Sequence, residues 1–223
     1  MTHTDIFSNF FVVEDPDSTK NYRGQIVNDM DSNLKLLRAE YTPGHLTITH
    51  IAGSNEPGSL FWNRVNESFC VNQALVNMFQ EKGIKGLTFT PATVLTKSGG
   101  KTLDNYFAVS VAGRINAVDY LKTDIVYKQF PGGQFPHFKG LYFDPESWDG
   151  SDIFMERPDN EGKQSAFIYV TKKFVDAVIK CKVKNIGFVN FNDYLTDCGM
   201  IRIGASDKMK IEIDRKIRMA AGK

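Results

Sequence analysis

Cysteine is scarce in this 223-residue chain. Cys70, Cys181 and Cys198 are an odd three, with no CxxC pair and no histidine at ligand spacing. That excludes a disulfide framework or a zinc ribbon and leaves buried reduced thiols as the expectation. No apolar run approaches the roughly 18 residues of a membrane-spanning helix. The first residues, Met1 to Phe7, lack the basic stretch of a secretory leader, so a reducing cytoplasm is the expected setting. A surplus of one charge is missing too. Lys and Arg number 27 against 26 Asp and Glu, a net charge of +1. A general nucleic-acid binder would show a strong basic excess, so direct nucleic-acid binding is not expected.

Chemical motifs are equally sparse. Gly99-Gly100 and Gly132-Gly133 fit neither GxxxxGK[ST] nor GxGxxG, and there is no HExxH or GxSxG. His45 and His50 lie in a strand-like stretch, where an odd separation puts them on opposite faces and denies them a shared metal. No catalytic residue, metal or cofactor is therefore expected.

What the chain does have is aromatic residues and an internal echo. Seventeen Phe, 8 Tyr and 2 Trp in a 42% hydrophobic sequence demand a substantial core. The length suits one large domain or two small ones and buries about 70% of the unfolded surface. Val71, Ala74, Leu75, Met78 and Phe79 fall on one helical face, with Asn72 as N-cap, Val71 and Val76 as a hydrophobic staple, and Gly83 as the left-handed stop. A strand, Ile84 to Phe89, follows and is expected to end at Pro91. Val170, Phe174, Ala177, Val178 and Cys181 repeat the device, with Thr171 as cap and Val183 to Phe188 as strand.

The echo extends upstream. Leu60-Phe61-Trp62-Asn63-Arg64 resembles Ile153-Phe154-Met155-Glu156-Arg157. Leu46-Thr47-Ile48-Thr49 matches Leu141-Tyr142-Phe143-Asp144, and Asn9 to Val13 matches Asn105 to Val109, all at separations between 93 and 99. The fold expected is α+β: two tandem copies of a strand-rich unit ending strand–helix–strand, 1–95 and 103–191, packed as one body with pseudo-twofold character. The loop-like Thr96 to Thr102 links them. A tail, 192–223, follows, in which the alternation of Met209, Ile211 and Ile213 predicts a last strand before the basic end Arg215-Lys216-Ile217-Arg218.

One charge block stands out. Residues 144–161 hold seven acids against the single base Arg157. Trp148, Phe143 and Phe154 interleave them, the two phenylalanines alternating as strand core residues do. The block reads either as a solvated loop whose aromatics are core, or as a face for a basic protein, with carboxylates steering the encounter and aromatics holding it. On the second reading the partner-binding residues are Trp148, Asp149, Asp152, Glu156, Asp159 and Glu161.

The succession Asn105 to Val109, Ile115-Asn116-Ala117-Val118-Asp119, Leu141 to Asp144, Asp152-Ile153-Phe154, and the capped helix with Ile186-Gly187-Phe188 resembles a bacterial immunity-protein family, immunity protein eleven of polymorphic toxin systems. The resemblance covers about residues 100–195 directly and the first half through the duplication. It implies a non-enzymatic inhibitor of one cognate toxin, frequently a nuclease, and offers no catalytic residues to carry over. The competing readings are a small enzymatic or ligand-binding domain using the cleft between the repeats, and a homodimer joined through exposed aromatics.

Overall fold

The computed structural model describes residues 7–16, 20–27, 32–63, 68–97, 100–158 and 165–221. The chain is α+β. Its first part contains β1 (Phe10–Glu14), β2 (Arg23–Ile26), α1 (Ser32–Leu37), β3 (Leu46–Ala52), β4 (Leu60–Asn63), β5 (Ser68–Asn72), α2 (Gln73–Glu81) and β6 (Leu87–Leu95). Then come β7 (Thr102–Val111), β8 (Gly113–Ile115), β9 (Asp124–Phe130), β10 (Gly133–Lys139), β11 (Ile153–Glu156), β12 (Tyr169–Thr171), α3 (Lys172–Lys180), β13 (Gly187–Asn190), β14 (Leu195–Asp197), α4 (Cys198–Gly204) and α5 (Asp207–Ala221).

Helix α2 starts as its sequence dictates. The Asn72 side chain accepts the Leu75 N–H at 3.1 Å, satisfying one orphan donor of the first turn. Leu75, Val76, Met78 and Phe79 are buried on the inner face, and Gly83 takes a left-handed φ of 58° after the last turn. Thr171 occupies the N-cap of α3, but its hydroxyl donates to Asp152 Oδ1 and not to the helix. Lys182 adopts the left-handed conformation there, at φ 53°.

The strands form three sheets. A closed barrel runs β2-β3-β6-β7-β5-β4, a five-stranded sheet runs β13-β1-β12-β11-β8, and a three-stranded sheet runs β14-β10-β9. Tyr22, Ile48, Phe61, Cys70, Val94 and Ala108 fill the barrel. A second core binds the barrel to the five-stranded sheet and to both helices, with Trp62, Phe69, Val109, Ile153, Met155 and Val170 in one cluster. There Phe79 of α2 stacks on Phe174 of α3 at 5.3 Å and 13°. The third core, on the other side of the five-stranded sheet, is aromatic: Phe7, Phe10, Phe138, Phe143, Phe154, Tyr169 and Phe191 are all buried. Phe143 and Phe154 are thus interior, as their alternation requires. Gly113 lets β8 approach β11, because a Cβ there would lie 2.3 Å from the Ile153 carbonyl oxygen.

Several pairings recur. Leu60 pairs with Val71, as Ile153 does with Val170. Val71 pairs with Phe107, as Val170 does with Phe11. Phe89 pairs with Val109, as Phe188 does with Val13. The parallel pair β2–β4 joins Arg23 to Trp62, and the parallel pair β8–β11 joins Arg114 to Met155. The first strand of each expected repeat lies in the sheet of the other: β1 in the five-stranded sheet, β7 in the barrel.

Four expectations need correction. Strand β6 does not stop at Pro91 but continues to Leu95. Its parallel neighbour β3 joins only from Ala92 onward, so on that side the missing N–H of Pro91 has no ladder partner to lose. Leu141 to Asp144 is not a strand, although the Leu141 N–H donates to the Phe191 carbonyl at 3.0 Å. Met209, Ile211 and Ile213 lie in the 15-residue helix α5. The apolar spacing that governs is Met209, Ile213, Ile217, one helical face against the aromatic core, while Ile211 is 64% exposed. Cys70 and Cys198 are buried, but Cys181, just past α3, is exposed.

Candidate interaction surface

The six candidate residues of the acidic block separate into four groups. Asp152 is buried: Oδ2 accepts the Lys85 N–H and the Lys173 ammonium, each at 2.9 Å, and Oδ1 accepts the Thr171 hydroxyl at 3.0 Å. Glu156 is buried too. Its Oε1 accepts the Tyr169 and Ser165 hydroxyls, both at 2.7 Å, and Oε2 accepts the Val118 N–H at 3.2 Å. These carboxylates tie the fold together and present no oxygen to a partner. Trp148 is half-buried, its indole N–H donating to the Ser151 carbonyl and its ring edge-on to Phe10 at 5.2 Å. Asp149 is exposed, though it accepts the backbone N–H groups of Arg114 and Ser151. Asp159 and Glu161 lie outside the described residues. Asp144 and Glu146, in the same loop, are exposed.

A second surface was not foreseen from sequence. Strands β9 and β10 form a hairpin whose register puts Phe130 opposite Gly133, Lys128 opposite Phe135 and Val126 opposite His137. Cross-strand partners share a face, so Phe130, Lys128, Phe135 and His137 all lie on one side, with Leu195 and Asp197 of β14 continuing it. The opposite side carries Ile125 and Phe138 into the aromatic core. On the outer side, the Phe130 and Phe135 rings meet edge-to-face at 5.9 Å. The His137 ring stacks on Phe130 at 5.8 Å, and the Lys128 ammonium lies 5.5 Å over the Phe130 ring. Phe130 is 39% exposed, Phe135 45% and Leu195 37%. Two aromatic rings and Leu195 stand open on a paired strand surface that also carries Lys128 and Asp197, which makes it a candidate contact face. The pattern Phe-Pro-Gly-Gly-Gln-Phe, an aromatic pair across a turn, was the available signal.

Among the described residues, no group of three His, Cys, Asp or Glu side chains could hold a metal ion. The cleft between barrel and five-stranded sheet, about 440 Å³, is lined by Val13, Glu14, Asp15, Trp62, Phe167 and Tyr194. Its Asp15 is engaged by the Arg23 guanidinium in a pair with both side chains buried. Burial pushes the Cys70 thiol up to about 12 and the Cys198 thiol up to about 11, so neither is a ready nucleophile at neutral pH.

The sequence of known proteins decides the rest. A model of the Imm11 immunity protein family matches residues 54–193, well over half of the chain. The chain belongs to the Imm11 immunity protein family. No curated protein matches it. The Imm11 span runs from the segment before β4 through β13 and so includes the acidic loop and the β9–β10 hairpin, while β14, α4 and α5 lie beyond it. Among the described residues, no helix is long and apolar enough to cross a membrane.

Proposed function

We propose that this Imm11 protein is a non-enzymatic inhibitor that binds one cognate toxin in the cytoplasm and occludes its active site. The family match carries the reading. The hairpin supplies the contact: Phe130 and Phe135 give rigid apolar area, and His137 and Lys128 fix the orientation of the Phe130 ring. The exposed acids Asp144, Glu146 and Asp149, with Trp148 behind them, steer a basic toxin surface and account for on-rate more than for affinity. Asp159 and Glu161, outside the described residues, complete the proposed set of partner-binding acids by sequence. Asp152 and Glu156 contribute only by holding the loop's base.

Co-expression with the toxic domain encoded beside the gene tests this. Wild-type protein should restore growth. The double variant Phe130→Ser, Phe135→Ser should lose that protection while keeping its melting temperature. Toxicity undiminished by the wild-type protein would sink the proposal.

We also infer that the two halves are copies of one unit whose first strands, β1 and β7, have been exchanged. The support is the recurrence of pairing. The orders β2-β4-β5-β7-β6 and β8-β11-β12-β1-β13 agree in direction throughout. The left-handed positions Gly83 and Gly86 after α2 are answered by Lys182 and Asn185 after α3.

A further inference from the structure

Strand β9 has one strand neighbour among the described residues, β10, and its other edge borders a groove of about 670 Å³. Ile125, Val126 and Leu121 line one side of this groove and Arg215, Met219 and Ala220 of α5 the other. Helix α5 passes on the core side of the sheet, where the Tyr127 hydroxyl donates to the Ile217 carbonyl at 3.2 Å. The helix therefore makes a shelf beneath the strand's edge, and among the described residues no other strand covers that edge. Seven residues long, β9 pairs with β10 without a bulge and contains no proline. Alternate residues of such an edge point N–H and C=O groups outward, and only another extended backbone satisfies them in series.

The edge is complementary to itself. Residues 124–128 read Asp-Ile-Val-Tyr-Lys. Laid antiparallel on its own copy about Val126, the strand sets Asp124 of each chain opposite Lys128 of the other. Ile125 then faces Tyr127, and Val126 faces Val126. Opposite charges meet on the outer face, where Asp124 and Lys128 are both exposed. The Ile125 and Tyr127 side chains of each strand stay on the core side, Tyr127 tied to the Ile217 carbonyl of its own α5, and Met219, 63% exposed, lies beside the join. Contacts of this kind repeat across a twofold axis, as an isologous interface requires.

We propose that the occupant of this groove is a second copy of the chain, paired through β9 into a continuous six-stranded sheet. The pairing runs in the plane of the sheet and leaves the outer face of Phe130 and Phe135 uncovered.

Light scattering after size exclusion, on the protein alone, tests the pairing independently of any toxin. The wild-type protein should run at twice the 25.1 kDa of one chain. Lys128→Asp places like charges opposite each other and should give the single-chain mass. The exchange variant Asp124→Lys, Lys128→Asp restores the complement and should restore the dimer. Hydrogen exchange should slow at alternate β9 amides in the dimer and not in the Lys128→Asp protein. A wild-type monomer at the highest soluble concentration overturns the proposal. So does a dimer whose β9 amides exchange at the monomer's rate, or an exchange variant that stays monomeric.

Discussion

Glu156 and Asp149 are both acids of one charged stretch, seven residues apart, yet they live in different media. The Glu156 carboxylate is 8% exposed and accepts three hydrogen bonds from β12, from the segment before it and from the loop after β8. Its register counterpart in the barrel, Asn63, donates to the Ser68 hydroxyl at 2.9 Å and to the Cys70 sulfur at 3.3 Å. Removing such an acceptor leaves its donors unmatched in the interior, at about 1–3 kcal/mol for each buried group. Glu156→Ala should therefore lower the unfolding free energy by roughly 3 kcal/mol or more in urea titration. Glu146→Ser, on an exposed side chain, should change it by less than about 0.5 kcal/mol. Equal effects would show that Glu156 does not hold the fold. The sequence places both acids in one block because composition counts charge without depth. Depth depends on Tyr169, Ser165 and Val118 arriving from elsewhere in the chain.

At the scale of elements, a signal is legible where its cause is local, and Thr171 marks the limit, its hydroxyl turning from α3 to Asp152. Asn72 and Gly83 delimit α2 because a side-chain cap and a left-handed stop act within a few residues. The same reasoning misplaced the end of β6, since Pro91 breaks a strand only where a neighbour needs its N–H. Over so few residues, Met209, Ile211 and Ile213 satisfy a period of two, and only the aromatic core selects the four-residue spacing of α5. β1 lies in the five-stranded sheet and β7 in the barrel, so each sheet contains a strand from the other end of the chain's order. Two separate chains, 1–97 and 100–223, should accordingly assemble into a 1:1 complex when co-expressed. Two independently folded monomers that ignore each other would contradict the exchange.

The whole molecule is a set of stacked cores that bury neutral ionisable groups, and this sets its response to pH. Burial pushes the Cys70 thiol and the Tyr194 hydroxyl each up to about 12, and raises Tyr22, Tyr120 and Tyr169 further. In the unfolded chain these groups ionise at their ordinary values of 9.0 for the thiol and 10.0 for the phenols. Above pH 9 the unfolded state thus holds fewer protons than the folded one. Stability from this source is complete below pH 9 and falls as pH climbs towards 12. Urea midpoints measured across pH 7 to 12 should stay level and then drop, and Cys70→Ala should soften the first part of the drop. A level profile to pH 12 would contradict the burial of these groups. Taken alone, the sequence determined the α+β class, the two helices and the Asn72 cap of the first, the core phenylalanines and the family likeness, because a cap and apolar periodicity are local and many aromatics must find a core. Tertiary structure alone decided which acids face water, which sheet each strand joins and which aromatic pair stands open on the β9–β10 hairpin, because each depends on pairing between residues far apart in the chain.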